Sequence, residues 1–276
     1  MEDTLRPRAA GRISVGDAAL YCRDYGPADA PVTLLLLHGN GESWRCFAAV
    51  LPALVGAGYR VLAADSRGHG ASGRGRLPLT PVQLARDALD LLDALGIPQA
   101  VPVGFSDGGN TALTMALMSP ERLPALVAAG PNLVPAGVRL SVQLPCELAY
   151  AACRGAGALL PAARARADLL GLMVDQPRLR FDELAGVRLP ALILGGGHDM
   201  IRRGHLAHIA AALPQGRLRL LADADHFVFA PRFAPRSAAL VLEFLAANGL
   251  GTERTAQKTP RGFAQKCAPA KLTSTQ

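Results

Sequence analysis

Long apolar runs are missing from this sequence. Runs such as the four leucines at residues 34–37, with Val32 just ahead of them, fall far short of the roughly 20 residues that span a bilayer. The opening eight residues, Met-Glu-Asp-Thr-Leu-Arg-Pro-Arg, also lack an apolar segment, so the expectation is a cytoplasmic chain without a signal peptide. Cysteine is scarce and scattered. Cys22, Cys46, Cys146, Cys153 and Cys267 are odd in number and form no C-x-x-C pair, which signals neither a disulfide framework nor a zinc site. A Walker loop, a GxGxxG after the first strand and a metal-ligand cluster are missing too, so no cofactor and no metal is expected. Lysine is nearly absent: Lys258, Lys266 and Lys271 all fall near the carboxyl terminus, and the rest of the chain uses arginine alone.

That terminal segment, residues 250–276, sets five basic side chains against Glu253, a net +4 of the chain's +7. It is poor in apolar residues and reads as a disordered basic tail. Its charges lack interleaved aromatics, so a solvated tail is expected rather than a nucleic-acid-binding one. Elsewhere the composition is that of a globular protein. Half the 276 residues are apolar and 18% are charged, ample for a sizeable core and wrong for a disordered chain. Although there are 29 glycines and 21 prolines, they follow no repeat period, which excludes a collagen-like chain.

Short β-like runs alternate with helical patterns. Residues 13–15 and 19–25 read as an antiparallel pair around Gly16-Asp17. Residues 32–37 are a continuous apolar run, as expected of a strand buried on both faces. Helix is expected over 44–55, stopped by Gly56 and Gly58, and from Thr80-Pro81 to Leu95, with proline at its first position. Further strands are expected at 59–64, 100–105, 125–129, 190–195 and 217–222. Helices follow at 107–118, 203–212 and 234–247. Such alternation implies a mostly parallel α/β sheet with helices on both faces. Residues 131–188 break the rhythm: helical segments near 140–152, 157–173 and 180–185, punctuated by Pro145, Pro161 and Pro177, with no convincing strand. The expected organisation is a core of residues 1–130 and 189–249, with a helical cap of residues 131–188 inserted.

Gly104-Phe-Ser-Asp-Gly108 fits G-x-S-x-G, with an apolar strand entering and a helix-forming run leaving. In that strand–turn–helix the serine sits on a strained turn with Oγ exposed, and strand and helix cross too closely for a Cβ at either glycine. A serine hydroxyl needs a base to take its proton. Among six histidines, His226 directly follows the last expected strand, where a loop can lean over the carboxyl edge of the sheet. His38 and His69 sit in glycine turns and suit backbone hydrogen bonds, whereas His205 and His208 read as a helix surface face. The base in turn needs a carboxylate to hold its tautomer. Asp199, in the loop after the strand at 190–195, suits this best. Asp223 and Asp225 are rivals that lie too close in the same loop to reach Nδ1 easily. The developing oxyanion wants two N–H donors; the amides of Asp107 and Asn40 are the candidates.

Four motifs carry a resemblance: His38-Gly-Asn-Gly, Asp65-Ser-Arg-Gly-His-Gly-Ala-Ser72, Gly104-Phe-Ser-Asp-Gly-Gly109, and Gly195-Gly-Gly-His-Asp199 with Asp225-His-Phe. Over residues 12–249 the chain resembles the α/β-hydrolase fold superfamily, and within it small bacterial esterases and enol-lactone hydrolases. The resemblance implies an eight-stranded sheet, a triad of Ser106, Asp199 and His226, and an oxyanion amide from Asn40. It gives the Asp65–Ser72 turn a structural role only. The function it implies is hydrolysis of a small ester or lactone. Alternatives on the same fold are a ligand receptor, and a cofactor-free haloperoxidase or C–C bond hydrolase. The cap segments 138–152 and 156–174 are expected to roof the serine with apolar side chains and so to favour short, neutral acyl groups.

Overall fold

The computed structural model describes residues 5–252. Eight strands form one sheet in the order β1-β2-β4-β3-β5-β6-β7-β8. β1 (Ala9–Val15) and β2 (Ala18–Tyr25) pair antiparallel, and β2 is antiparallel to β4 (Arg60–Ala64). β3 (Thr33–Leu37), β4, β5 (Val101–Phe105), β6 (Leu126–Ala129), β7 (Ala191–Gly196) and β8 (Gly216–Leu221) run parallel. The helices are α1 (Leu51–Gly56), α2 (Pro81–Ala94), α3 (Asp107–Met118), α4 (Leu140–Ala156), α5 (Pro161–Val174), α6 (Arg203–Ala212) and α7 (Ala234–Ala247).

The apolar run of β3 splits by alternation. Leu35 and Leu37 pack with α2, α3 and α6 on one face, while Leu34 and Leu36 pack with α1 and α7 on the other. A strand covered on both faces needs no polar side, which is why it reads as an unbroken apolar run. Each such leucine contributes about 1.5–3 kcal/mol by leaving water.

Three expectations need correction. The helix expected over 44–55 is a 3₁₀ turn at Trp44–Phe47 followed by a fresh start at Leu51. Pro52 has no N–H and its ring would strike the carbonyl of Ala48, so it is tolerated only in a first turn. The first strand begins at Ala9 rather than Ile13, because its backbone pairs with β2 as far as Asp24. The body also runs beyond residue 249. Leu250 packs against the α1/α7 side of the core and accepts a hydrogen bond from Tyr59 Oη at 2.9 Å, and the buried Thr252 donates its hydroxyl to the Ala57 carbonyl. The remainder of the expected tail, residues 253–276, lies outside the described residues.

Between β6 and β7 the chain forms α4, α5 and a 3₁₀ turn at Glu183–Gly186. This segment is tied to the core at a few points. Asn40 Nδ2 donates to the Leu169 carbonyl of α5 at 2.6 Å, and Leu172 packs with Leu79 and Leu84. Among the described residues no helix is long and apolar enough to cross a membrane.

Candidate active site

β5 delivers the chain to Ser106, whose φ of 53° and ψ of −116° make it the one non-glycine residue at positive φ among those described. Strain of this kind persists only where surroundings over-determine it. Here the Ser106 amide donates to Ala129 O at 2.7 Å and the Ser106 carbonyl accepts from Asn110 N at 3.0 Å. The flanking glycines act as steric reasoning requires. A Cβ on Gly104 would stand 2.1 Å from Gly108 O, and one on Gly108 would stand 1.9 Å from Leu37 O. Both contacts are with backbone that cannot move aside.

His226 follows β8 in a loop at the carboxyl edge and meets Ser106 there. Ser106 Oγ donates to His226 Nε2 at 3.0 Å, and His226 Nδ1 donates to Asp199 Oδ1 at 2.7 Å. Asp199 is buried and further held by amides: Ile201 N reaches Oδ1 at 2.9 Å and Gly196 N reaches Oδ2 at 3.2 Å. The rival carboxylates are engaged elsewhere. Asp223 makes a two-pronged pair with Arg236 at 2.8 and 2.9 Å, which lowers its pKa, and Asp225 accepts from Phe227 N at 2.9 Å. The imidazole packs against Phe105, with ring centroids 4.9 Å apart. Gly130 leaves room for it, since a Cβ there would lie 2.7 Å from His226 Cε1.

The 38–42 loop approaches from β3. Its closeness is measurable: a Cβ on Gly39 would stand 3.1 Å from Ser106 Cβ. His38 shapes the turn rather than joining the relay. It accepts from Ser66 N at 2.9 Å on Nε2, so Nδ1 carries the proton and donates to Gly39 O at 2.7 Å. Burial pushes its pKa down to about 3, keeping it neutral. His69 similarly faces the Arg67 carbonyl. Asp65 serves as a structural clamp, accepting from Trp44 N at 2.7 Å and Ala71 N at 2.9 Å. His205 is not a surface residue. It is half-buried and accepts from Leu133 N at 3.0 Å, anchoring the chain where it leaves β6; His208 stacks on Phe181.

Several features of the site are set by packing. Glu42 is half-buried and accepts from Gly39 N at 3.2 Å, bracing the loop; burial raises its pKa. Asp107, in the first turn of α3, is buried with Oδ1 accepting from Asn110 Nδ2 at 3.2 Å and Oδ2 without a partner. Desolvation raises its pKa to about 7. The cap also departs from expectation. Leu140, Leu144, Leu148, Leu159 and Leu160 point into solvent instead of roofing the serine. A cavity of about 600 Å³ does lie against the cap, but Arg74, Arg154, Arg164 and Tyr150 are in its walls, and Ser106, Asp199 and His226 are not among its lining residues. Among the described residues no cluster of three His, Cys, Asp or Glu side chains is placed to hold a metal ion.

A mostly parallel eight-stranded sheet with this strand order, a serine on a strand–helix elbow and an insertion after β6 define the class: a protein of the α/β-hydrolase fold. A profile of that fold matches residues 32–145. Over 115 residues the chain is 44% identical to the magnesium-chelatase 30 kDa subunit of Rhodobacter capsulatus, covering 41% of this chain and 39% of that one. The match thus spans about two-fifths of that curated relative's length. Solved structures align over far more. A hydrolase from Pseudomonas aeruginosa PA01 gives a TM-score of 0.70 at 29% identity, over 86% of this chain and 98% of that one. The enol-lactonase from Burkholderia xenovorans LB400 gives 0.70 at 26% identity, over 86% and 100%.

Proposed function

We propose that this chain is a serine hydrolase that opens a small ester or lactone through an acyl-enzyme on Ser106. The observation that carries the proposal is the unbroken relay from Ser106 Oγ through His226 to the buried Asp199, at 3.0 and 2.7 Å. In this reading His226 Nε2 takes the hydroxyl proton as Oγ attacks the carbonyl carbon, and Asp199 holds the imidazolium that forms. The oxyanion is received by the amides of Asn40 and Asp107, the second aided by the partial positive charge at the start of α3. His226 then gives its proton to the leaving oxygen, and water, activated by the same imidazole, releases the acid. The likeness to an enol-lactonase at 26% identity supports the ester or lactone class. The chain's own residues supply every step, without a cofactor.

The proposal predicts that a fluorophosphonate probe labels wild type and not Ser106→Ala, and that hydrolysis of p-nitrophenyl acetate is lost with it. The variant should keep its thermal midpoint, because alanine retains Cβ and removes only the hydroxyl that bonds His226. A second reading draws on the 44% identity to a chelatase subunit, a protein whose name records no hydrolysis. A non-catalytic receptor on the same fold would bind its ligand while turning over no ester. Steady turnover by wild type that Ser106→Ala abolishes would exclude it.

A further inference from the structure

The outer face of the cap exposes what a folded protein ordinarily hides. α4 is seventeen residues long, and Cys146, Tyr150 and Cys153 lie half-buried on its inner side with Gln143 buried. On the opposite side Leu140, Leu144 and Leu148 are 70%, 54% and 65% exposed. Their i, i+4, i+8 spacing makes a stripe about 12 Å long on one helix face. Leu159 and Leu160, in the turn to α5, are exposed as well. These five are more than half of the large apolar side chains exposed among the described residues. Single exposed leucines need no explanation, but a stripe of them marks an interaction surface.

Most of the charges near the stripe are of one sign. Arg139 precedes Leu140 and Arg166 lies on α5, both exposed, while Arg154 and Arg164 stand toward Tyr150 in the walls of the cavity described above. Arg202 and Arg203 stand beside Arg139 and Leu140 at the start of α4, where the five residues Arg139, Leu140, Ser141, Arg202 and Arg203 line a shallow depression. None of these six guanidinium groups forms an ion pair with a carboxylate among the described residues. Glu147 is the single acid between Arg139 and Arg166, and it accepts a hydrogen bond from Gln143 Nε2 at 2.9 Å.

We propose that this face of the cap docks on an anionic lipid surface, with the leucines entering the acyl-chain boundary and the arginines on the head groups. Leucines on a helix face flanked by cations match the interfacial zone of such a membrane, apolar below and negatively charged at the surface. A second copy of the chain fits less well. Two such faces brought together would oppose arginine to arginine with one glutamate each to relieve them. The inference does not depend on the hydrolytic reading of Ser106.

The test is co-sedimentation of the full chain with phosphatidylcholine vesicles, with and without phosphatidylglycerol. Binding is expected to the anionic vesicles, and to weaken as salt rises through the range that screens head-group charge. Leu144→Asn/Leu148→Asn leaves every charge in place and should lower the partition coefficient by at least about tenfold. Arg139→Gln/Arg203→Gln, beside Leu140, should lower it too and flatten the salt dependence. Both pairs are exposed, so each variant should keep the wild-type thermal midpoint, which checks folding apart from activity. Undiminished binding by the leucine variant would overturn the proposal and place any affinity in cationic segments such as residues 253–276. Failure of wild type to bind anionic vesicles would overturn it as well. So would a concentration-dependent dimer that the leucine variant abolishes, which would assign the face to a second copy.

Discussion

Asp199 and Asp107 are both buried acids beside His226, yet their surroundings give them opposite tasks. Asp199 is wrapped by two amide donors and the imidazole N–H, an environment built for a carboxylate. Asp199→Asn keeps the shape but offers His226 Nδ1 the wrong partner, so kcat should fall on the order of 10⁴ with the thermal midpoint little changed. Asp225→Asn should cost little; a reversed outcome would move the triad acid. Asp107, by contrast, has one amide contact and an oxygen with none. Its pKa rises from 3.8 to about 7 on folding. Between those values the folded state holds a proton that the unfolded state has released, so stability falls as pH rises through that window. Asp107→Asn removes this penalty. Thermal melts at pH 5 and pH 8 should show the variant gaining on wild type by several degrees at the higher pH. Equal differences at both pH values would show that Asp107 is charged throughout.

Between elements, the core is fastened by a buried ion pair. Arg67, in the turn after β4, is completely enclosed and grips Asp87 of α2 through two bonds, at 2.7 and 2.8 Å, while also reaching Asp17 in the β1–β2 hairpin. Three elements far apart in the chain thus share one guanidinium. Removing one partner of a buried pair strands the other charge, so Arg67→Met should cost about 3–5 kcal/mol in urea unfolding. Arg67→Met/Asp87→Leu should recover much of that loss. If both variants unfold alike, the pair contributes through packing alone. The link between cap and core is lighter. Asn40 joins the 38–42 loop to α5 by its side-chain amide, leaving its backbone N–H available for the role proposed above.

At the scale of the molecule, the sheet brings every proposed catalytic group to one edge. β5, β7 and β8 run parallel, so Ser106, Asp199 and His226 all emerge at carboxyl ends although 93 and 27 residues separate them in turn. The contacts made by residues 250–252 also belong to this scale. Removing residues 253–276 should leave kcat and the thermal midpoint unchanged. Removing residues 250–276 should lower the midpoint, since Leu250 and Thr252 bond to Tyr59 and Ala57 near the end of α1. Equal melts for the two truncations would show those contacts to be idle.

What could be read along the chain is what neighbouring residues determine. The strand–turn–helix around Ser106, the spacing of Gly104 and Gly108, and the Thr80-Pro81 helix start all follow from sterics and capping within a few residues, and Thr80 does accept from Gln83 N at 3.1 Å. The break at Pro52 belongs to the same local chemistry, although the expected helix ran through it. That His226 meets Asp199 agrees with the spacing along the chain, and packing adds that Arg236, thirteen residues beyond Asp223, claims that rival. Other features were decided only by packing. Asn40 meets Leu169 across 129 residues, a contact no local pattern encodes. The cap leucines are a further case. Helical periodicity marks α4 as having an apolar stripe, but which side meets α5 depends on where the neighbouring helix lies. The structure turns Tyr150 and the cysteines inward and the leucines outward, because a pattern along one helix cannot specify which partner it will face.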